Sequence, residues 1–161
     1  MSLVVRLATL FALALALAAP VRAASPQDIL LTVEGRIDGG QKSLTRADLE
    51  ALGLESVTTT TPWYDGAMTF EGVSLARLFE ALKIKGDMVE VVALNNYFVE
   101  IPTADLIERK AILAMKRNGA YMAVSDKGPL FIVYPFDADP SLRSEVHYSR
   151  SVWQVKSMAF R

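Results

Sequence analysis

The chain is expected to fold as an α+β domain of short strands with a few short helices. Short apolar or alternating runs recur from Ile29 to Phe160, each about the length of a strand and too brief for a buried helix. Turn signals such as Asp38-Gly39-Gly40, Asn95-Asn96 and Asn118-Gly119 punctuate them. One segment, with Leu75, Leu78, Phe79 and Leu82, has the clear spacing of a helix with one buried face.

Residues 1–23 read as a signal peptide and residues 24–161 as the domain. Arg6 supplies a positive start, Leu7 to Ala19 a short apolar core, and Val21-Arg22-Ala23 the small residues of a cleavage site after Pro20. The apolar core is too short to span a bilayer, so a periplasmic or secreted location is expected. The 17 basic residues against 18 acidic ones leave no footprint for nucleic acid, and Arg6 and Arg22 fall in the leader. With no cysteine, packing alone must stabilise the fold.

The elements follow in order. Ile29 to Ile37 alternates as a strand. Thr45 and Asp48 form a capping box, with Leu44 and Leu49 as its hydrophobic staple, for a short helix that Gly53 ends. Val57 to Thr61 is a β-branched strand, Pro62 to Gly66 a turn, and Met68 to Phe70 a strand. Ser74 is read as the cap of the next helix and Gly86 as its end. Met88 to Leu94 is an interior strand that turns at Asn95-Asn96 into Tyr97 to Ile101, and Pro102-Thr103 starts a short helix to Glu108. Ala111 to Lys116 and Tyr121 to Val124 make a hairpin around the type I′ pair Asn118-Gly119. Leu130 to Tyr134 is buried strand. Pro135 to Ser149 is irregular, with one helical turn opened by Asp139-Pro140, and Val152 to Phe160 closes the domain.

The chemistry concentrates in His147-Tyr148-Ser149-Arg150-Ser151-Val152-Trp153. Arg150 with Ser151 offers charge-assisted donors to a phosphate or ring edge; the plainer reading is an Arg150–Glu145 pair. Trp63, Tyr97 and Trp153 are stacking surfaces for a flat ring, although Trp153 in a strand also reads as core. Asn95 and Asn96 have amides suited to a heterocycle and are equally ordinary turn residues. His147, the only histidine, serves as a hydrogen-bond donor or base, or has no ligand role; alone it makes no metal site. Asp137 and Asp139 lack the ligand count of a calcium loop. No phosphate loop or nucleophile elbow occurs.

Five segments in order resemble the molybdopterin-binding domain of the sulfite-oxidase family. They are Phe70-Glu71-Gly72-Val73-Ser74-Leu75 with Leu78-Phe79, Val91 to Pro102, Ile112-Leu113-Ala114-Met115 with Asn118-Gly119, Gly128-Pro129-Leu130 to Pro135, and Arg150-Ser151-Val152. The resemblance implies that fold and a pterin or molybdopterin-like ligand. Enzymes of the family ligate molybdenum through a cysteine in the region that Thr58 to Thr61 occupies here, and a threonine hydroxyl does not replace a soft thiolate. Thr61 therefore stands near the lost anchor, Lys127 about where the family has histidine, and Trp153 where it has lysine. The chain is also similar to small exported pterin-binding regulators of the PruR type, which act with membrane-bound cyclic-di-GMP signalling proteins. Three readings follow: a non-catalytic periplasmic binding module that reports to a membrane-bound signalling partner; an oxidoreductase, or its subunit, that holds the metal only through the cofactor; and an interaction domain with a decayed cleft. One scaffold hosts all three.

Overall fold

Alternation from Ile29 produces the first strand, β1 (Ile29–Gly35), in a computed structural model that describes residues 25–161. The leader expected at residues 1–23 lies outside the described residues. β1 stops at Gly35, short of the expected Ile37. Gly35 takes φ +94°, and a Cβ there would stand 2.1 Å from the Phe160 carbonyl oxygen, so only glycine allows the turn and the approach. The chain then re-enters the sheet as β2 (Gln41–Thr45), a strand the polar sequence did not announce because most of it is exposed at an edge.

Thr45 and Asp48 form the expected capping box at α1 (Arg46–Ala51): the Asp48 N–H donates to Thr45 Oγ1 at 3.2 Å and the Thr45 N–H to Asp48 Oδ2 at 2.8 Å. β3 (Glu55–Thr61) and β4 (Tyr64–Ser74) make a long hairpin; β4 extends well beyond the Met68–Phe70 segment expected. Ser74 is the last residue of that strand, paired with Ile112, and its side chain does not cap α2 (Leu75–Ala81). The Leu75 N–H is satisfied instead by the Ala111 carbonyl at 3.0 Å. Leu75, Leu78 and Phe79 are buried, as their spacing predicted. The helix ends at Ala81 with Leu82 as its C-cap, and Lys83, in the left-handed region at φ +52°, turns the chain away well before Gly86.

β5 (Met88–Ala93), β6 (Phe98–Pro102) and α3 (Thr103–Glu108) lie close to expectation. β7 (Ile112–Arg117) turns at Asn118 and Gly119, both with positive φ as a type I′ turn requires, into β8 (Ala120–Tyr121). β8 stops before Val124, where a 3-10 turn (Val124–Asp126) begins. β9 (Phe131–Val133) follows, and Asp139 opens the 3-10 turn Pro140–Leu142 as expected. The stretch read as irregular also contains α4 (Glu145–Arg150), whose cap Ser144 accepts from the His147 N–H. β10 (Val155–Phe160) starts after the polar run; Trp153 forms an isolated bridge to Phe131.

The strands form two sheets. One has the order β2-β1-β10-β5-β6, with β10 parallel to β1 and the other pairs antiparallel. The other is β3-β4-β7, with β8 and β9 both pairing β7. The main core includes Leu31, Val33, Val91, Ile101, Met158 and Phe160 from the first sheet and Leu113, Met115 and Ile132 from the second. Phe70, Ile112, Ala114, Phe131 and Val133 bury a smaller core. That second core explains the unbroken apolar run of β7, since a strand covered on both faces loses its alternation. Trp63 packs against both cores.

Candidate functional site

A cavity of about 310 Å³ opens where the β3–β4 turn, the β5–β6 turn and the segment from α4 to β10 meet. Trp63 comes from the first turn; Asn95 and Tyr97 from the second; and Tyr148, Ser149, Ser151, Val152 and Trp153 from the third, with Ala93 at the end of β5. Trp63 is the hub of the aromatic wall. Its ring meets Trp153 edge-on at 5.5 Å, Tyr148 at 6.1 Å and Phe131 at 5.6 Å. Edge-to-face contacts of this kind fix ring orientation as well as bury area. The Tyr97 hydroxyl donates to the Ser149 carbonyl at 3.0 Å, which ties the β5–β6 turn to α4. Asn95 Oδ1 accepts from the Tyr97 N–H at 3.0 Å, and the amide nitrogen of the same side chain is a donor.

Trp63, Tyr97, Asn95 and Ser151 thus meet at one cavity, and Trp153 joins them. Ser151 is nearly buried, and its hydroxyl donates to the His147 carbonyl at 2.9 Å. Five other candidate residues, Thr61 among them, lie outside this lining. Arg150 is not part of the cavity lining, and its ion pair is with Asp105, at 3.1 Å, rather than with Glu145. His147 lies on the same side of α4, with Nε2 3.3 Å from Asp105 and Nδ1 3.0 Å from the Ser144 hydroxyl. Residues three apart on a helix share a face, so His147 and Arg150 turn together toward α3. Tyr134 completes the cluster by donating to Asp105 at 2.8 Å; burial, then the Asp105 charge, pushes its phenol far above the ordinary range. Asn96 sits at φ +65° and accepts from Lys156 at 2.7 Å. Lys127, also left-handed, places its ammonium over the Tyr64 ring at 4.5 Å and the Trp153 ring at 5.5 Å.

A second depression, of about 410 Å³, shares Tyr148 with the first and is lined by Thr60, Thr61, Pro62, Tyr64, Gly66, Phe136 and Arg143. Thr58 bonds Thr69 across the hairpin at 2.9 Å, and the fully buried Thr59 accepts from the Asp137 N–H at 3.0 Å. Thr60 donates to Asp137 through its N–H at 2.9 Å and its hydroxyl at 2.6 Å. Those bonds, side chain first, hold the Asp137 carboxyl below its ordinary value, and Arg143 pairs with the same carboxylate. Thr61 Oγ1 is buried with no hydrogen-bond partner among the described residues. An orphaned hydroxyl of this sort costs about 1–3 kcal/mol.

Sequence reasoning passed over Arg143, Asp105 and the direction of Tyr148. The polar run contained Tyr148 and Ser149 but gave no helical phase to sort its two faces. Arg143 and Asp137 become a site only because the loop after β9 lies beside the end of β3.

Residues 18–136 match the family model described as the oxidoreductase molybdopterin binding domain, and the chain belongs to that family. Among solved structures it is similar to the sulfane dehydrogenase SoxCD from Paracoccus pantotrophus, with a TM-score of 0.66 and 17% identity. The similarity covers 87% of this chain but 40% of that one, and it shows the shared fold: an α+β, sulfite-oxidase-like molybdopterin-binding domain. A search of curated proteins finds no match.

The donor set fits one part of such a cofactor and not another. A flat heterocycle suits the aromatic wall and the Asn95 amide. Molybdenum would find threonine hydroxyls rather than a thiolate at the end of β3, and these are neutral, hard and largely engaged in the hairpin and with Asp137. No cationic side chain lines the first cavity to receive a phosphate.

Proposed function

We propose that this chain is a non-catalytic binding module for a pterin-like heterocycle, exported to the periplasm and reporting its ligand to a membrane-bound signalling partner. One observation carries the ligand reading. Both tryptophans of the chain, Trp63 and Trp153, border one cavity whose polar atoms suit a heterocycle and whose surroundings offer no thiolate for a metal. Membership of the molybdopterin-binding family supports a pterin as that heterocycle. The leader-like residues 1–23 support export.

Titration of the purified chain with oxidised and reduced pterins tests the reading. Stacking in the cavity quenches tryptophan fluorescence, and at a hundredfold excess over Kd the ligand stabilises the fold by about 2.7 kcal/mol. Absence of both quenching and a thermal shift across the series sinks it. Family membership also favours a second reading, an oxidoreductase or its subunit in which the metal is held only by the cofactor's own sulfurs. Metal analysis of protein purified from its native host separates the two: stoichiometric molybdenum favours the redox reading, and trace amounts exclude it.

A further inference from the structure

Among the strands at the sheet edges, β3 is left open. β2 is short and carries Lys42, and β6 ends in Pro102, which has no N–H. β8 and β9 span two and three residues. Charge, proline and brevity are the usual guards against edge-to-edge pairing. β3 has none of them along its middle: it runs seven residues, and after Glu55 it consists of serine, valine and threonine. The main-chain groups that face outward follow from the neighbouring strand. Thr69 gives its N–H to Asn118 Oδ1 at 3.0 Å, and its carbonyl accepts from the Asn118 N–H at 2.7 Å. Both groups therefore point away from β3. Residues opposed in an antiparallel ladder exchange both bonds or neither, so Thr58, opposite Thr69, turns its N–H and C=O out of the sheet. By alternation Ser56 and Thr60 do the same. Asp137 already takes the Thr60 N–H, at 2.9 Å. Ser56 and Thr58 each keep an outward donor and acceptor with no partner among the described residues.

We propose that this edge pairs with the same edge of a second copy of the chain, antiparallel and centred on Val57. In that register Ser56 lies opposite Thr58 of the second copy and Thr58 opposite its Ser56, each pair exchanging both bonds, so every free group is used. The ladder stops at Thr60, where Asp137 holds the next outward N–H. Val57, partly buried against the smaller core, meets its own copy across the two-fold axis at the close spacing of a non-hydrogen-bonded pair. The charges also match. The start of β3 carries the Glu55–Arg77 pair and its end the Asp137–Arg143 pair. An antiparallel copy brings one of each together at both ends of the joint, so carboxylates and guanidiniums balance. A patch that complements itself in this way closes as a two-fold dimer instead of growing into a filament. The inference is independent of the ring-binding reading.

Analytical ultracentrifugation of the purified chain, with amide hydrogen exchange followed residue by residue, tests it. A joint of so few hydrogen bonds belongs with transient contacts, so dimers are expected to form at about 10–100 µM. The Ser56 and Thr58 amides are expected to gain protection as concentration rises, while those of Val57 and Thr59, already bonded to β4, change little. Ser56→Lys and Ser56→Glu alter an exposed side chain and set like charges diagonally across the axis. Each is expected to weaken self-association about fivefold, and an equimolar mixture of the two to restore it. A chain that stays monomeric at about 1 mM overturns the proposal and leaves the edge to an extended segment of another protein. Dimers without protection at Ser56 and Thr58 overturn it too, since the joint then lies elsewhere. A mixture that associates no better than either charged variant alone overturns the two-fold pairing.

Discussion

Gly72 has no room for a side chain. A Cβ there would lie 2.1 Å from the Leu113 carbonyl oxygen and 2.5 Å from the Ala114 Cα, both backbone atoms of the neighbouring strand β7. Neither can retreat without breaking the β4–β7 ladder, which already shifts register between Glu71 and Gly72. Gly72→Ala is therefore expected to lower stability by about 3 kcal/mol in urea unfolding, the upper range for overpacking a rigid site. A loss below about 1 kcal/mol would show that β7 yields. The glycine was visible in the sequence as part of Phe70-Glu71-Gly72-Val73-Ser74, but its partner was not. A close approach of two backbones depends on a strand some forty residues away.

At the scale of elements, α4 joins the candidate site to the body of the fold. One side carries Tyr148 and Ser149 to the cavity, and the other carries His147 and Arg150 to Asp105. Asp105 is only 15% exposed and Arg150 21%, so the pair is shielded well enough for its loss to matter. Removing the carboxylate leaves the Arg150 charge and the Tyr134 hydroxyl without their partner. Asp105→Ala is expected to destabilise the domain by about 3 kcal/mol. It is also expected to weaken the proposed ring binding, because α4 loses its anchor while every cavity residue remains. Asp105→Asn keeps an acceptor for Tyr134 and costs less. Chemical denaturation and ligand titration on both variants check this, and unchanged ligand affinity in Asp105→Ala would show that α4 is held by its caps and rings alone. Reading Pro135 to Ser149 as irregular passed over the cap at Ser144, because a helix this short has no repeat long enough to reveal itself.

For the whole molecule, the last strand is central rather than peripheral. β10 lies between β1 and β5, parallel to the first described strand and antiparallel to the other. A chain truncated after Gln154 loses the middle of its larger sheet, with Val155, Met158 and Phe160 from the core. It is expected to show no cooperative melt and no dispersed NMR spectrum. The ionisable groups define a stability plateau. Hydrogen bonds from Thr45, Thr60 and Ser141 hold Asp48, Asp137 and Asp139 below the ordinary value of 3.8. Depressed carboxyls stabilise the fold fully above that value, and the contribution is lost as pH falls through their lower folded values. At the other end, burial and the bond to Asp126 raise Tyr64 from 10.0 to about 12. A raised phenol stabilises below its unfolded value, and that contribution disappears as pH climbs from 10.0 to about 12. Melting temperature should fall at both extremes, with Asp137→Asn reducing the acid slope and Tyr64→Phe the alkaline one. Unaltered slopes in those variants would assign the limbs to other groups.

Much of the architecture was determined by sequence alone. The capping box at Thr45, the type I′ turn at Asn118-Gly119 and the buried face of α2 all rest on residues within a few positions of each other. Three-dimensional packing decided the rest. It hid the exposed strand β2 and carried β4 through the segment read as a helix cap. It also turned Arg150 toward Asp105, while Tyr148 went to the cavity and Thr61 came beside Arg143. These depend on partners distant along the chain, whose charge and backbone select a side-chain direction that no local pattern encodes.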